Sequence, residues 1–151
     1  MNTLPLSLNL EGQPCLIVGG GNVASRKIQV LAEAGAKLTI VSPELDQKVV
    51  RLVRAREINY VQRVFEDADI EGQLFVVAAT NKRDINSRVF TACQKKCVLI
   101  NTVDDPELCT ATFPSIVYRN PVTVAISTGG TSPTLARRIR GQLEAYLSPG
   151  I

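Results

Sequence analysis

The apolar residues of this chain fall into short runs with two alternating spacings. The run at residues 15–18 is continuous and ends in glycines, which is typical of a strand buried on both faces of a parallel sheet. From Val23 the apolar residues recur three to five positions apart, and this spacing predicts a helix that ends near Gly35. The same reasoning predicts further strands at residues 37–41, 58–61, 74–79 and 98–102, and helices at residues 43–56 and 82–95, the second capped by Asn81.

The pattern changes after Asn101, where the alternation of strands and helices stops. Short strands are predicted at residues 112–113, 116–118 and 122–127, with a hairpin turn at residues 119–121. Ser132 and Pro133 are typical of the N-cap and the first position of a last helix. That helix carries a strip of apolar residues spaced four apart, which predicts packing on a partner subunit or a further element: Leu135, Ile139, Leu143 and Leu147.

Strands that alternate with helices, joined by right-handed crossovers, predict an α/β fold with a Rossmann-like, doubly wound parallel sheet. We expect this Rossmann domain at residues 1–112. A small β-rich dimerisation segment and a C-terminal helix are expected at residues 113–151. With 151 residues, 45% of them hydrophobic, the chain is long enough for one well-packed core.

Composition and charge argue against several classes of protein. No apolar run approaches the roughly 18 residues of a membrane span, and the N-terminus lacks the features of a signal peptide, so we expect a cytoplasmic protein. The net charge of +3 is dispersed and gives no reason to expect nucleic acid, although it suits an anionic small substrate. The four cysteines form no CxxC pair, and we expect them to be reduced thiols. The chain has no histidine, so any acid–base chemistry must come from other side chains.

A glycine-rich motif follows the first predicted strand and opens the first predicted helix. Gly19 permits a tight turn, Gly21 lets the backbone approach a pyrophosphate, and Ala24 is small enough for the helix to lie close to the sheet. Phosphate would sit on the free N–H groups at the helix N-terminus. The motif after a buried strand predicts dinucleotide binding, the alternative being a merely structural turn.

The residue that would hold the adenosine ribose is less well defined. The second predicted strand does not end in an acid, and Glu44 is the nearest candidate, although a solvated residue at a helix N-terminus explains it equally well. No basic pair lies where a 2′-phosphate would need one, so NAD is preferred over NADP. Thr80 ends the fourth strand in a run of small residues that suits a cofactor close to the backbone, with tight packing as the alternative.

Several longer segments carry a resemblance to a known family. The chain has LPL near its start, then CLIVGGGNVASRK, VVAATN, INTVDDPE and FPSIVYRNPVTVAISTGGTSPTLARRIR, in that order. Across essentially its whole length it resembles the dehydrogenase/ferrochelatase domain of siroheme synthases. The resemblance implies NAD-dependent oxidation of precorrin-2 to sirohydrochlorin, followed in some members by insertion of ferrous iron.

The resemblance also implies roles for individual residues. The aspartate assigned to proton abstraction and to chelation of the metal falls on Asp104, and the NAD contacts fall on Asn22, Val23, Pro43 and Glu44. Asp104 also follows the fifth predicted strand, whose carboxyl end borders the crevice where open α/β sheets bind ligands. Its neighbour Asp105 is a rival, and either carboxylate could instead only shape a turn.

Two departures from the family pattern are visible. Some members carry a phosphorylated serine in the glycine-rich turn before the last helix, where this chain has Thr128. Members usually continue into a helical C-terminal domain, whereas this sequence ends at Ile151.

The substrate of the implied reaction carries many carboxylates, so arginines near the C-terminus are candidate partners: Arg119, Arg137 and Arg138, with Arg140 close by. A solvated helix face is the alternative for each. Two other functions stay open, namely an NAD(H)-sensing regulatory domain without turnover and a ferrochelatase alone. We expect a homodimer built from the segment after Thr112.

Overall fold

The computed structural model describes residues 3–147, and its main feature is a five-stranded sheet. All strands of this sheet are parallel and lie in the order β3-β2-β1-β4-β5, with helices between them along the chain. The elements are β1 Pro14–Val18, α1 Asn22–Glu33, β2 Lys37–Val41, α2 Gln47–Arg56, β3 Asn59–Val61, β4 Phe75–Ala78, α3 Arg83–Lys96 and β5 Leu99–Thr102. This is the predicted Rossmann-like sheet, with every predicted strand up to residue 102 in place.

The centre of this sheet is buried on both faces. β1 pairs with β2 on one side and β4 on the other, and residues 15–18 are all buried. Parallel strands covered by helices on both sides lose all contact with water, which explains why the apolar runs of β1 and β4 are continuous instead of alternating. Ala24 of α1 is fully buried, as expected where a helix lies close to the sheet.

The start of α2 and the segment between β3 and β4 differ from the prediction. α2 begins at Gln47 and not at residue 43, because Asp46 caps the helix through the N–H of Lys48. The Asp46 N–H also donates to the carbonyl of Gly20, which holds residues 43–46 in a loop. The segment between β3 and β4, where no helix was predicted, contains a single turn of 3-10 helix, Asp67–Ile70.

Asn81 is not the N-cap of α3, so that prediction is wrong. The helix begins at Arg83 with Lys82 as its N-cap. The Thr80 hydroxyl accepts the Lys82 N–H and donates to the side chain of Asn86, which fixes the chain before the helix starts.

The chain divides into two compact units. One is Ser7–Ala111, which contains the parallel sheet, and the other includes the described residues from Thr112 onward together with the N-terminal residues up to Leu6. The second unit consists of an antiparallel hairpin, β6 Ser115–Arg119 and β7 Val122–Ile126, and a helix, α4 Pro133–Tyr146, which contacts it. The end of the predicted C-terminal region, residues 148–151, lies outside the described residues.

Within the second unit the hairpin and the helix start are confirmed. Asn120 and Pro121 connect the two strands, and the Ser132 hydroxyl accepts the N–H of Leu135 with Pro133 at the first helical position. The predicted strand at residues 112–113 is wrong. The N–H groups just before it, on Thr110 and Ala111, donate to Ile100 of β5, and Pro114 has no N–H to give to a ladder.

None of the helices at residues 3–147 is both long enough and apolar enough to cross a membrane.

Candidate functional site

A cavity of about 860 Å³ lies at the carboxyl edge of the parallel sheet. It is lined by the ends of β1, β2, β4 and β5, so it occupies the point where the strand order reverses between β1 and β4. Ligands of open α/β sheets bind at this point. The cavity also has the size of an ordinary cofactor site. The predicted residues that line it are Gly19, Gly21, Asn22, Val23, Pro43, Glu44, Thr80 and Asp104.

The glycine turn forms one wall of the cavity, and its three glycines differ in what they require. Gly19 has φ of +119°, and a Cβ there would lie 2.5 Å from the carbonyl oxygen of Ala79. A Cβ on Gly20 would collide with the carbonyl oxygen of Glu44, a constraint that the motif alone does not reveal. A Cβ on Gly21 would meet no protein atom within 4 Å. The fold itself therefore requires Gly19 and Gly20, whereas at Gly21 only a close-lying ligand would require a glycine.

The N-terminus of α1 is suited to an anion. Gly21 is the N-cap, and among the described residues no side chain caps the helix and no acid lies in its first turn. The N–H groups at such a helix end carry partial positive charge. Lys48 of α2 adds a full charge here, since its Nζ donates to Oδ1 of Asn22 at 2.9 Å. Sequence reasoning missed Lys48 because the contact spans 26 residues.

The loop after β2 is fixed by hydrogen bonds from both sides. The Ser42 hydroxyl donates to the carbonyl of Glu44, and the Tyr60 hydroxyl donates to the carbonyl of Ser42. Gln62 donates to the carbonyl of Pro43. Partial burial, and then the negative charge of Glu44, raise the pKa of Tyr60. The Glu44 side chain is exposed at this edge, and the hydrogen bond from Ser42 holds its backbone.

The loop after β4 forms the opposite wall. The Thr80 hydroxyl donates to Oδ1 of Asn86 at 2.6 Å, and the Asn86 amide donates back to the Thr80 carbonyl. Asn86 is buried and was not predicted from the sequence. The Thr80 hydroxyl is therefore engaged in shaping the loop.

An apolar part of the wall comes from the loop after β3. Val64 and Phe65 line the cavity there, and Arg63 holds this loop through two hydrogen bonds to Asp69, at 2.6 and 2.9 Å. The Arg63 guanidinium lowers the pKa of the Asp69 carboxyl.

Asp104 lies in a turn directly after β5. The Asp105 N–H is 3.4 Å from the Thr102 carbonyl, and Asp104 has φ of +58° at the third position of this turn. A left-handed aspartate costs some backbone strain, which Asp and Asn tolerate better than most residues. The Asp104 side chain lines the cavity, and no hydrogen bond to its carboxylate is found within residues 3–147.

Asp105 has a different environment from Asp104. Its carboxylate pairs with Arg83 of α3 at 2.9 Å, and Arg83 also reaches Glu107 at 3.4 Å. Of the two neighbouring acids, Asp105 thus forms an ion pair with Arg83, whereas Asp104 lines the cavity.

A lysine approaches Asp104 from α1. Lys27 is half-buried; its burial lowers its pKa, and the negative charge of Asp104 acts in the opposite direction. This proximity was not predicted. No group of three or more acidic or cysteine side chains with the geometry of a metal site occurs in the described part of the chain, so the predicted metal role of Asp104 stays a prediction.

The predicted substrate arginines belong to the second unit. Arg119 donates to the main-chain carbonyls of Glu144, Leu147 and Tyr118, so it holds the C-terminal end of α4. Arg137 and Arg138 are exposed on α4. Thr128 accepts the Ser132 N–H with its hydroxyl, within the turn that precedes α4.

Comparison with known proteins agrees with this geometry. A family model described as "Putative NAD(P)-binding" matches residues 6–115, and a model described as "Sirohaem biosynthesis protein central" matches residues 119–146. The chain is 44% identical over 147 residues to a siroheme synthase of Methylobacillus flagellatus and 42% identical to one of Thioalkalivibrio sulfidiphilus. Each alignment covers 97% of this chain but only 32% and 30% of the relative, so the chain spans about a third of these proteins.

Solved structures show the same fold. The structure of "SirC, precorrin-2 dehydrogenase" superposes with a TM-score of 0.85 and 26% identity, covering 97% of this chain and 72% of that one. D-lactate dehydrogenase from Escherichia coli matches 68% of this chain and 31% of its own, with a TM-score of 0.50 and 13% identity, which shows a shared fold alone. The predicted fold class and nicotinamide cofactor are confirmed. The chain belongs to the NAD(P)-binding family whose model matches residues 6–115, and it is similar to the corresponding third of siroheme synthases.

Proposed function

We propose that this domain oxidises precorrin-2 to sirohydrochlorin and uses NAD as the acceptor. The observation that carries the proposal is the position of Asp104, a carboxylate without a hydrogen-bond partner among the described residues, in the cavity that the glycine turn also lines. A proton acceptor beside a dinucleotide site is what a dehydrogenation requires. The similarity to siroheme synthases and to a precorrin-2 dehydrogenase supports the identity of the substrate.

The residues of the cavity fit NAD. A Cβ on Gly21 would point into open space, so the glycine suits a pyrophosphate close to the backbone. Glu44 offers a carboxylate to the adenosine ribose. Among the described residues, Lys82 lines the cavity in the loop after β4 and Lys48 contacts Asn22 at the start of α1, so neither cation is placed beside Glu44 for the 2′-phosphate of NADP. When bound, NAD supplies the hydride acceptor.

The protein's own residues would then move a proton. Asp104 accepts the proton that the macrocycle loses, at a carboxylate that has no hydrogen-bond partner among the described residues. A correctly placed general base is worth a factor of roughly 10²–10⁴ in rate, about 3–5 kcal/mol of barrier. Lys27 lies near Asp104, whose negative charge raises the pKa of the lysine against the lowering effect of burial.

We further propose which residues bind the substrate carboxylates, an oligomeric state and a cellular location. Arg137 and Arg138 stay candidates for the substrate carboxylates, because both are exposed and Arg binds carboxylates in a bidentate manner. We also propose a homodimer, since Leu135 and Tyr118 are large apolar side chains exposed in the second unit. A cytoplasmic location agrees with four free cysteines.

The test is to mix the chain with precorrin-2 and either NAD or NADP, and to follow the reduced cofactor by absorbance. We expect reduction of NAD with one sirohydrochlorin formed per NADH, and a lower rate with NADP. Tight NAD binding without any turnover would instead support the regulatory domain. Addition of ferrous iron to the product then tests chelation separately.

A further inference from the structure

The turn that carries Asp104 is closed by a side chain that the reaction does not use. Cys109 lies at the end of a 3-10 turn, Pro106–Leu108, and its thiol returns to the end of β5. The Thr102 N–H donates to Sγ at 3.1 Å, and Sγ lies 3.2 Å from the Thr102 carbonyl. The Asp105 carbonyl is 3.4 Å from the same sulfur. The thiol thus contacts the main chain on both sides of Asp104.

These contacts provide hydrogen bonds to the backbone of β5 where no neighbouring strand does. β5 is the last strand of the parallel sheet, so one side of its backbone has no neighbouring strand. Thr110 covers part of this edge, with its N–H on the Ile100 carbonyl and its hydroxyl accepting the Ile100 N–H. Cys109 does the same two residues further on, where Thr102 is almost completely buried. The buried N–H of Thr102 therefore depends on this sulfur for its hydrogen bond.

The backbone of Asp104 needs such support. Its φ of +58° lies in a region that L-residues adopt only when the surrounding structure holds them there. The hydrogen bond that closes the turn, from the Asp105 N–H to the Thr102 carbonyl, is long at 3.4 Å. On the outer side, Arg83 pairs with Asp105 and Glu107, but the Arg83 side chain is exposed to solvent, which weakens both ion pairs. The thiol is the half-buried contact that joins both ends of the turn.

We propose that Cys109 is a positioning residue for Asp104, which keeps the carboxylate in the cavity through its hydrogen bonds to Thr102 and Asp105. The proposal rests on the proposed function, in which Asp104 is the proton acceptor. It requires no reaction of the thiol. Burial raises the pKa of Cys109, so the group is a neutral thiol that can both donate and accept, as these contacts require.

Three substitutions of Cys109 separate positioning from packing. Cys109→Ala removes the hydrogen bonds and leaves space, Cys109→Val removes them while filling the space, and Cys109→Ser keeps a donor and an acceptor on a shorter bond. Cys97→Ser is the matched control, because Cys97 is an exposed thiol at the end of α3. For each folded variant, NAD affinity is measured by calorimetry and kcat with precorrin-2 by NADH formation.

We expect Cys109→Ala and Cys109→Val to lower kcat roughly 10–100-fold, since misplacement of a catalytic group by about 1 Å costs on the order of 10²-fold. NAD affinity should stay within twofold, and Cys109→Ser should recover most of the rate. In an Asp104→Asn background, Cys109→Val should cause no further loss, because a residue that acts only through Asp104 has nothing left to position.

The outcomes are distinct. Full activity of Cys109→Val, or loss of NAD affinity equal to the loss of kcat, would overturn the positioning role. An equal further loss in the Asp104→Asn background would also overturn it. Normal turnover by Asp104→Asn itself would contradict the proposed function, whatever the cysteine variants do. If Cys109→Ala does not fold, the serine and valine variants still decide between these results.

Discussion

The glycine turn and the Asp104 turn border the same cavity but are held in place by different means. At the glycine turn the constraint is on the backbone, since Gly19 and Gly20 pack against the carbonyls of Ala79 and Glu44 with no room for a side chain. At the Asp104 turn the constraint comes from side chains, namely the Cys109 thiol and Arg83. Gly19 and Gly20 cannot be replaced by a larger residue without a collision, whereas the side chains that hold the Asp104 turn can be changed one at a time. Substitutions at Gly19 and Gly20 should therefore affect folding and cofactor binding together, whereas those at Asp104 and Cys109 should affect turnover more than folding.

The largest effect is expected at the first turn. Gly19→Ala should destabilise the fold by roughly 2–5 kcal/mol, combining about 1–3 for overpacking against Ala79 with about 1–2 for a disfavoured backbone conformation. Gly21→Ala should leave the free energy of unfolding nearly unchanged, because its Cβ meets no protein atom. Its NAD affinity should nevertheless fall more than about tenfold. Urea denaturation and calorimetric titration of both variants give the comparison, and equal stability losses would contradict it.

A second side-chain constraint on the cavity lies at Arg63 and Asp69. Asp69→Asn should lower the free energy of unfolding by about 1–2 kcal/mol at neutral pH, since a hydrogen bond to a charged group in a partly exposed site is lost. Asp67→Asn is the control, because its ion pair with Arg88 is exposed on both sides, and it should cost less than about 0.5 kcal/mol.

The same pair predicts a pH dependence. Arg63 lowers the pKa of Asp69, so the stabilisation is fully present above the ordinary pKa of an aspartate, about 4, and is lost as the pH falls through the lower folded value. Between neutral pH and about pH 3 the wild type should therefore lose more stability than Asp69→Asn. Thermal unfolding across this range measures the difference, and parallel curves would show that the pair contributes nothing.

The smallest effect on stability is expected at Asp104, with the opposite sign. Asp104→Gly should raise the free energy of unfolding by about 0.5–1 kcal/mol, because glycine adopts the positive φ of this position without strain. The same change removes the proposed base, so stability and turnover should move in opposite directions. Asp105→Gly is the control and should destabilise the protein, because it removes the ion pair with Arg83.

The two turns also differ in how far the sequence predicts them. Gly19 follows from a local pattern of strand, glycines and helix, and the structure agrees. Gly20 does not, because its constraint is the carbonyl of Glu44, which lies 24 residues further along the chain. The start of α2 was predicted too early for the same reason, since the Asp46 N–H donates to the distant carbonyl of Gly20.

The Asp104 turn was identified mainly through resemblance. The pattern of residues places two neighbouring acids after a strand, the resemblance favours Asp104, and the structure distinguishes them by pairing Asp105 with Arg83. The sequence did not indicate a role for Cys109, because its contact with the Thr102 backbone depends on β5 being the edge strand of the sheet. Lys27 and Lys48 were missed because both contacts join separate elements.

We propose that Asp104, and not its neighbour Asp105, accepts the proton in a cavity that binds NAD. The most direct test is NADH formation from precorrin-2 by Asp104→Asn and Asp105→Asn, with NAD affinity measured on the same samples. We predict that Asp104→Asn binds NAD normally and turns over roughly 10²–10⁴-fold more slowly, while Asp105→Asn, which can still accept a hydrogen bond from Arg83, keeps most of its activity. Normal turnover by Asp104→Asn would contradict this role, and an inactive Asp105→Asn beside it would assign the role to Asp105.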